Sequence, residues 1–304
     1  MSRTKKILLG VLGVYILTII VVVLIFGAKR QDNEEFQPQR EFKLDTWVNL
    51  PGPFDINKGV LYVVLAAALT VITMVFISRR MQARPNRVQT AVETVYAFIR
   101  DDITGGNMDD KMARKWFPFL ATLFFFIWFS NLIGYIPLPT NSHEKIDLGP
   151  IEIPAFALYA ATANISIPLV LALVVFVSFN VEGIRAKGLG GYLKSLIPEG
   201  VGGSGFVGKL GVAALFALEL LSNFMRLLSL SVRLFANILA GHLIILFMSG
   251  GLAVLLGLEV LGVFTLPAGV ILYLFELGLV ATLQAFIFAV LSAIYLGGAV
   301  AEGH

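Results

Sequence analysis

The chain has 304 residues, 57% of them apolar and only 14% charged, with a net charge of +3 and a mean hydropathy of +0.84. Soluble domains carry nearly twice that charged fraction, so this sequence needs lipid as its solvent. With no cysteine, disulfides, thiol catalysis and thiolate metal sites are excluded, and the basic residues form no single patch suited to nucleic acid.

In chain order, the first apolar run is Ile7 to Phe26, preceded by Arg3, Lys5 and Lys6. About 20 apolar residues cross a bilayer. The run is longer than a signal-peptide core and no A-x-A site follows it, so a retained anchor is expected. A mixed polar stretch, Gly27 to Lys58, leads to a second span over Gly59 to Ile77, closed by Arg79 and Arg80. The sequence VQTAVETVYAFIRDDI reads as an interfacial amphipathic helix. A third span covers Trp116 to Ile136, with Pro137 and Pro139 at its stop. A loop runs to Ala163, a fourth span covers Asn164 to Val181, and a Gly-rich polar loop reaches Lys209.

Two longer apolar segments follow, Leu210 to Met248 and Leu258 to Val300, around a hinge at Ser249 to Gly257. Each has about 40 residues, roughly 60 Å as helix, against a hydrocarbon core of about 30 Å. Each must tilt strongly or break into two spans. The lack of proline in the first favours one tilted helix, and Pro267 stands near the start of the second, where a kink or first-turn position is tolerable. The expected fold is an all-α polytopic membrane protein of about six transmembrane passes, the last two forming a strongly tilted hairpin. Three regions follow: 1–58 as anchor and outer polar segment, 59–209 as peripheral helices with the interfacial helix, and 210–304 as the hairpin. The Lys/Arg bias of the loops puts both termini in the cytoplasm.

Nearly all charges fall in the loops. The exceptions are Glu219, Arg226, Arg233 and Glu276, with Glu259 near the hinge. An ion in mid-span costs about 2.5–3.5 kcal/mol on the insertion scale, which makes each a functional candidate. Glu219, Arg226 and Arg233 recur every seven residues and share one helix face; Asn237 stays near it and His242 lies about half a turn away. Arg226 has a structural alternative, snorkelling or pairing with Glu219, whereas no carboxylate lies within four residues of Arg233. Ser222, Ser229 and Ser231 read as packing residues, and Gln284 alone as interhelical glue. The three histidines, His143, His242 and His304, have no metal-ligand spacing, and no phosphate-binding GxxxxGK[ST] loop occurs. No metal, cofactor or catalytic site for ATP is expected in this chain. A transporter or channel acting alone, binding substrate at Glu219, Arg226 and Arg233, is the alternative that charge placement leaves open.

Four motifs, RPNRVQTAVE, FPFLATLFFFIWFSNLIGYIP, SLSVRLFANILAGHLI and LQAFIFAVLSAIYLG, stand in the order found in subunit a of F-type ATP synthases. The chain resembles that family across about Gly59 to His304. The resemblance implies that Arg233 is the essential arginine facing a ring of c subunits. It implies a proton path of two half-channels with Glu219, Asn237, His242, Glu276 and Gln284, and interface or structural roles for Arg226 and Asn131. The implied partners are the c-ring, b-type peripheral stalk subunits, the remainder of the ATP synthase and membrane lipid. The implied location is an energy-coupling membrane, first the bacterial plasma membrane, otherwise a thylakoid or mitochondrial inner membrane. Three departures stand out. The span before Gly27 is additional to the family's core. Leu227 replaces a frequent proline, so a straighter helix is expected there. Glu276 lies eight residues before Gln284 where seven is usual, so pairing of Glu276 with His242 needs a local bulge or another path.

Overall fold

A computed structural model describes residues 42, 44, 46–48, 56–79, 82, 85–147, 152–196, 206–248 and 259–301. The expected anchor at 7–26 and the hinge at 249–257 lie outside these residues. Among the described residues, five helices are long and apolar enough to cross a membrane, and the protein is a polytopic α-helical membrane protein.

The helices are α1 (Lys58–Arg79), α2 (Arg87–Ala97), α3 (Asp110–Gly134), α4 (Ser166–Ser195), α5 (Phe206–Leu246), α6 (Glu259–Phe275) and α7 (Ala281–Val300). A π-helical segment, Phe98–Gly105, continues α2, and a second, Glu276–Val280, joins α6 to α7. Helix α2 begins where Asn86 accepts a hydrogen bond from the Gln89 backbone N–H at 2.8 Å, the usual N-cap arrangement. Two short antiparallel strand pairs lie outside the spans. β1 (Thr46–Val48) pairs with β2 (Ile56–Asn57), and β3 (Leu138–Asp147) with β4 (Glu152–Ala157). The second pair adds a hairpin to what the sequence offered only as a loop. Pro139 and Pro154 obscured it, and a two-stranded ribbon tolerates them because each strand has a free edge.

Two expectations change. The fourth span does not end at Val181: helix continues to Ser195, broken at Gly188, the one described residue with positive φ (72°). That left-handed conformation suits glycine because it has no Cβ. Beyond it the chain turns back, so that the Tyr192 ring lies over Gly183 and its hydroxyl donates to Oδ1 of Asn180 at 2.7 Å. Pro267 is not in a first turn; it lies inside α6, nearer the middle. The first long segment does not break: α5 runs for 41 residues, through Leu227. At about 1.5 Å per residue such a helix is about twice as long as the roughly 30 Å hydrocarbon core is thick.

The chain divides into two compact units, each drawn from two stretches: 44–239 with 279–304, and 1–43 with 240–278. In the first, α3 packs against α1 and α7, and α7 packs against α4. Asn131 of α3, fully buried, donates to the Ala281 carbonyl at 3.3 Å and accepts from the Thr162 hydroxyl at 2.7 Å. One helix turn away, Trp128 Nε1 donates to the Thr282 hydroxyl at 3.0 Å. Tyr62, Ala66, Ile133, Tyr159 and Ala161 form a buried hydrophobic cluster. There Tyr62 and Tyr159 meet edge to face at 5.4 Å, and burial pushes the Tyr159 hydroxyl up to about 12.

Candidate functional site

Helix α5 carries Glu219, Arg226 and Arg233, three of the four ionic residues inside the apolar segments, and its burial pattern separates them. One face is buried: Asn223, Leu227, Leu230, Leu234, Ile238 and His242. The opposite stripe is exposed and, around its middle, consists of Ser229, Val232, Arg233, Ala236 and Ala240. Arg233 therefore projects from the outer face of a helix long enough to cross a membrane. It makes no hydrogen bond or ion pair among the described residues.

Glu219 and Arg226 lie elsewhere. They line a polar pocket of about 220 Å³ with Asn223, Lys187, Tyr192 and Tyr295. Arg226 Nη2 stands 3.8 Å from Glu219 Oε1, a loose pair, and its guanidinium lies 5.4 Å from the Tyr295 ring centre. The structural pairing anticipated for Arg226 is present. Arg233 is not part of the pocket wall. Seven residues fall short of two full turns by about 20°, so two such steps carry Arg233 off the stripe that begins at Glu219.

His242 and Glu276 belong to the other unit. His242 is 1% exposed and its ring meets Phe42 edge-on, with centres 6.5 Å apart. The carboxylate of Glu276 rests on the α5 backbone at Gly241, the residue before His242. A π segment starts at Glu276 and lies between it and Gln284. A π turn takes up about one residue more than an α turn, so eight residues across it rotate nearly as seven do. Asn237 is half-buried, and Gln284 is buried on α7. Ser231 is buried and donates to the Leu228 carbonyl at 2.9 Å, a packing role.

Four of these pocket residues, Asn223, Lys187, Tyr192 and Tyr295, were missed in the sequence. Asn223 follows Glu219 by four and so shares its face, a signal that was available. Tyr192 reaches the pocket because the chain reverses at Gly188, and Lys187 because α4 continues past Val181; nothing in local periodicity announces either. Glu182, on the extended part of α4, pairs with Lys115 of α3 and is buried; it too appears only once that helix is seen to continue.

Comparison with known proteins agrees with this architecture. The family model for the ATP synthase A chain matches residues 60–297. The chain is 38% identical over 241 residues to ATP synthase subunit a of Rubrobacter xylanophilus, covering 79% of this chain and 83% of that one. It is 34% identical over 264 residues to ATP synthase subunit a of Myxococcus xanthus, covering 84% and 78%. It is 30% identical over 283 residues to ATP synthase subunit a of Pseudarthrobacter chlorophenolicus, covering 90% and 97%. A match of this extent, on a chain of long membrane helices with the ionic residues gathered on α5 and around its end, establishes that the chain belongs to the ATP synthase A chain family.

Proposed function

We propose that this chain is the stator subunit that conducts protons through the membrane sector of an F-type ATP synthase, in a bacterial plasma membrane. Its partners are a ring of c subunits, each with one membrane carboxyl, the b-type peripheral stalk and the rest of the synthase. The observation that carries this reading is Arg233: an exposed guanidinium, unpaired among the described residues, in the middle of a membrane-length helix. Leaving an arginine there costs about 2.5–3.5 kcal/mol unless a partner supplies the opposite charge. A carboxylate on a neighbouring rotor does so.

A ring carboxyl is neutral while it faces lipid, because an unpaired charge is expensive there. Beside Arg233 it ionises, since the positive charge lowers its pKa. Arginine suits the role because no plausible environment removes its proton. The same fixed charge prevents protons passing straight from one half-channel to the other. Entry runs from the outer side past Glu276, His242, Asn237 and Gln284, with the imidazole as relay near neutral pH. Exit runs through the pocket lined by Glu219. That pocket, about 220 Å³, has room for several waters at roughly 30 Å³ each. Along α5, Glu219 precedes Arg233 by roughly 20 Å and His242 follows it by about 13 Å, at about 1.5 Å per residue. Titratable groups thus stand on both sides of the arginine, as two half-channels require. Both termini lie in the cytoplasm. Each charge moved through 100 mV delivers about 2.3 kcal/mol to rotation.

Replacing Arg233 by alanine in the assembled complex tests the reading. ATP-driven acidification of inverted vesicles is expected to vanish while the complex still assembles. Acidification at the wild-type rate would falsify it.

A further inference from the structure

Gly241 sits inside α5, where glycine is a poorer helix former than almost any alternative. The reason for it lies across the unit. A Cβ built on Gly241 would overlap Oε2 of Glu276 and would stand 2.6 Å from its Cδ and 2.9 Å from Oε1. The carboxylate occupies the space that any other side chain would need. Gly241 is itself buried, and the next residue is the buried His242. On the facing strand of helix, Glu276 opens the π segment Glu276–Val280. Such segments are rare departures from the α-helix and concentrate at functional sites. Two locally unfavourable features, a mid-helix glycine and a π turn, therefore converge on one carboxylate.

We infer that Gly241 is a positioning residue: its missing side chain forms a seat that holds the Glu276 carboxylate against α5 beside His242, and the π turn delivers the carboxylate to that seat. The inference rests on the proposed role of Glu276 in the proton path. The atoms that an added methyl would meet are the far end of a flexible side chain, not backbone. Alanine at 241 can therefore be accommodated by swinging the carboxylate aside, with both helices left in place. The fold survives and the geometry of the relay does not.

The experiment uses the whole synthase in inverted vesicles, with Gly241→Ala, Glu276→Asp, the double variant and Glu276→Gln. Gly241→Ala is expected to assemble normally and to lower ATP-driven proton pumping at least tenfold. Glu276→Asp alone is expected to slow pumping, because the shortened side chain no longer fills the seat. Combined, the two are expected to pump faster than Gly241→Ala alone, since a carboxylate one methylene shorter clears the new methyl. A glycine needed only for helix packing predicts no such rescue. The seat is overturned by wild-type pumping in Gly241→Ala, by failure of that variant to assemble, or by a double variant no better than it. Glu276→Gln separates the two layers of the argument. If it pumps normally, the proton-path role of Glu276 is wrong. If it abolishes pumping while Gly241→Ala does not, only the seat is wrong.

Discussion

The two polar clusters associated with α5 handle charge in opposite ways. Around Glu219 and Arg226 the side chains are 40% and 39% exposed, stand 3.8 Å apart and share a pocket wide enough for water. Around His242 the imidazole is 1% exposed, and the Glu276 carboxylate presses on bare backbone at Gly241. The first cluster lets solvent do the solvating, so no single side chain must be placed to within an ångström. The second leaves no space for water at the contact between the carboxylate and Gly241, so a proton path there would depend on where each atom lies. A proton path built from both would be tolerant at one end and exacting at the other.

That contrast can be broken by substitution. The largest effect after loss of Arg233 is expected at the buried cluster. His242→Ala should slow ATP-driven proton transport about tenfold or more, with assembly preserved, because positioned proton-transfer groups contribute at least that much. Glu219→Gln should cost less, since water in the pocket can carry the proton past a neutral amide. Equal losses in the two variants, measured in the same vesicles, would erase the distinction. Structural effects come next. Asn131→Ala leaves the buried Thr162 hydroxyl without its acceptor and should destabilise the fold by about 1–3 kcal/mol. A thermal-unfolding midpoint of the purified complex would register it. Arg226→Ala should be the mildest. It removes a loose ion pair and one ring contact, worth about 1–2 kcal/mol together at most. A stability loss larger than that of Asn131→Ala would mean that the pocket cluster is not the tolerant one.

Much of this is legible in the sequence. The spans follow from apolar run length, and the helical character of 88–103 from its amphipathic pattern, because both signals are local. Arg233 declared itself because a charge in a long apolar segment has few cheap explanations. The legibility failed where the chain reverses or changes register. Gly188 hid among other glycines, so α4 was expected to end too early, and Glu182, Lys187 and Tyr192 were left in a loop. The hairpin at 138–157 was masked by its prolines. The common face of Glu219, Arg226 and Arg233 was correct as helix arithmetic. Only the burial pattern showed that the slow drift leaves Arg233 outside the pocket that holds the other two.

Composition and periodicity alone determined that this chain lives in lipid as long helices and keeps a permanent positive charge among them. Those outcomes depend on transfer free energies and on repeats of a few residues, which every local window of sequence contains. The tertiary structure decided which partners the ions have. It placed Arg226 over Tyr295, Asn131 between Ala281 and Thr162, and the Glu276 carboxylate on Gly241. Such contacts join residues from about thirty to 150 positions apart, and no local pattern encodes which residues meet across that distance.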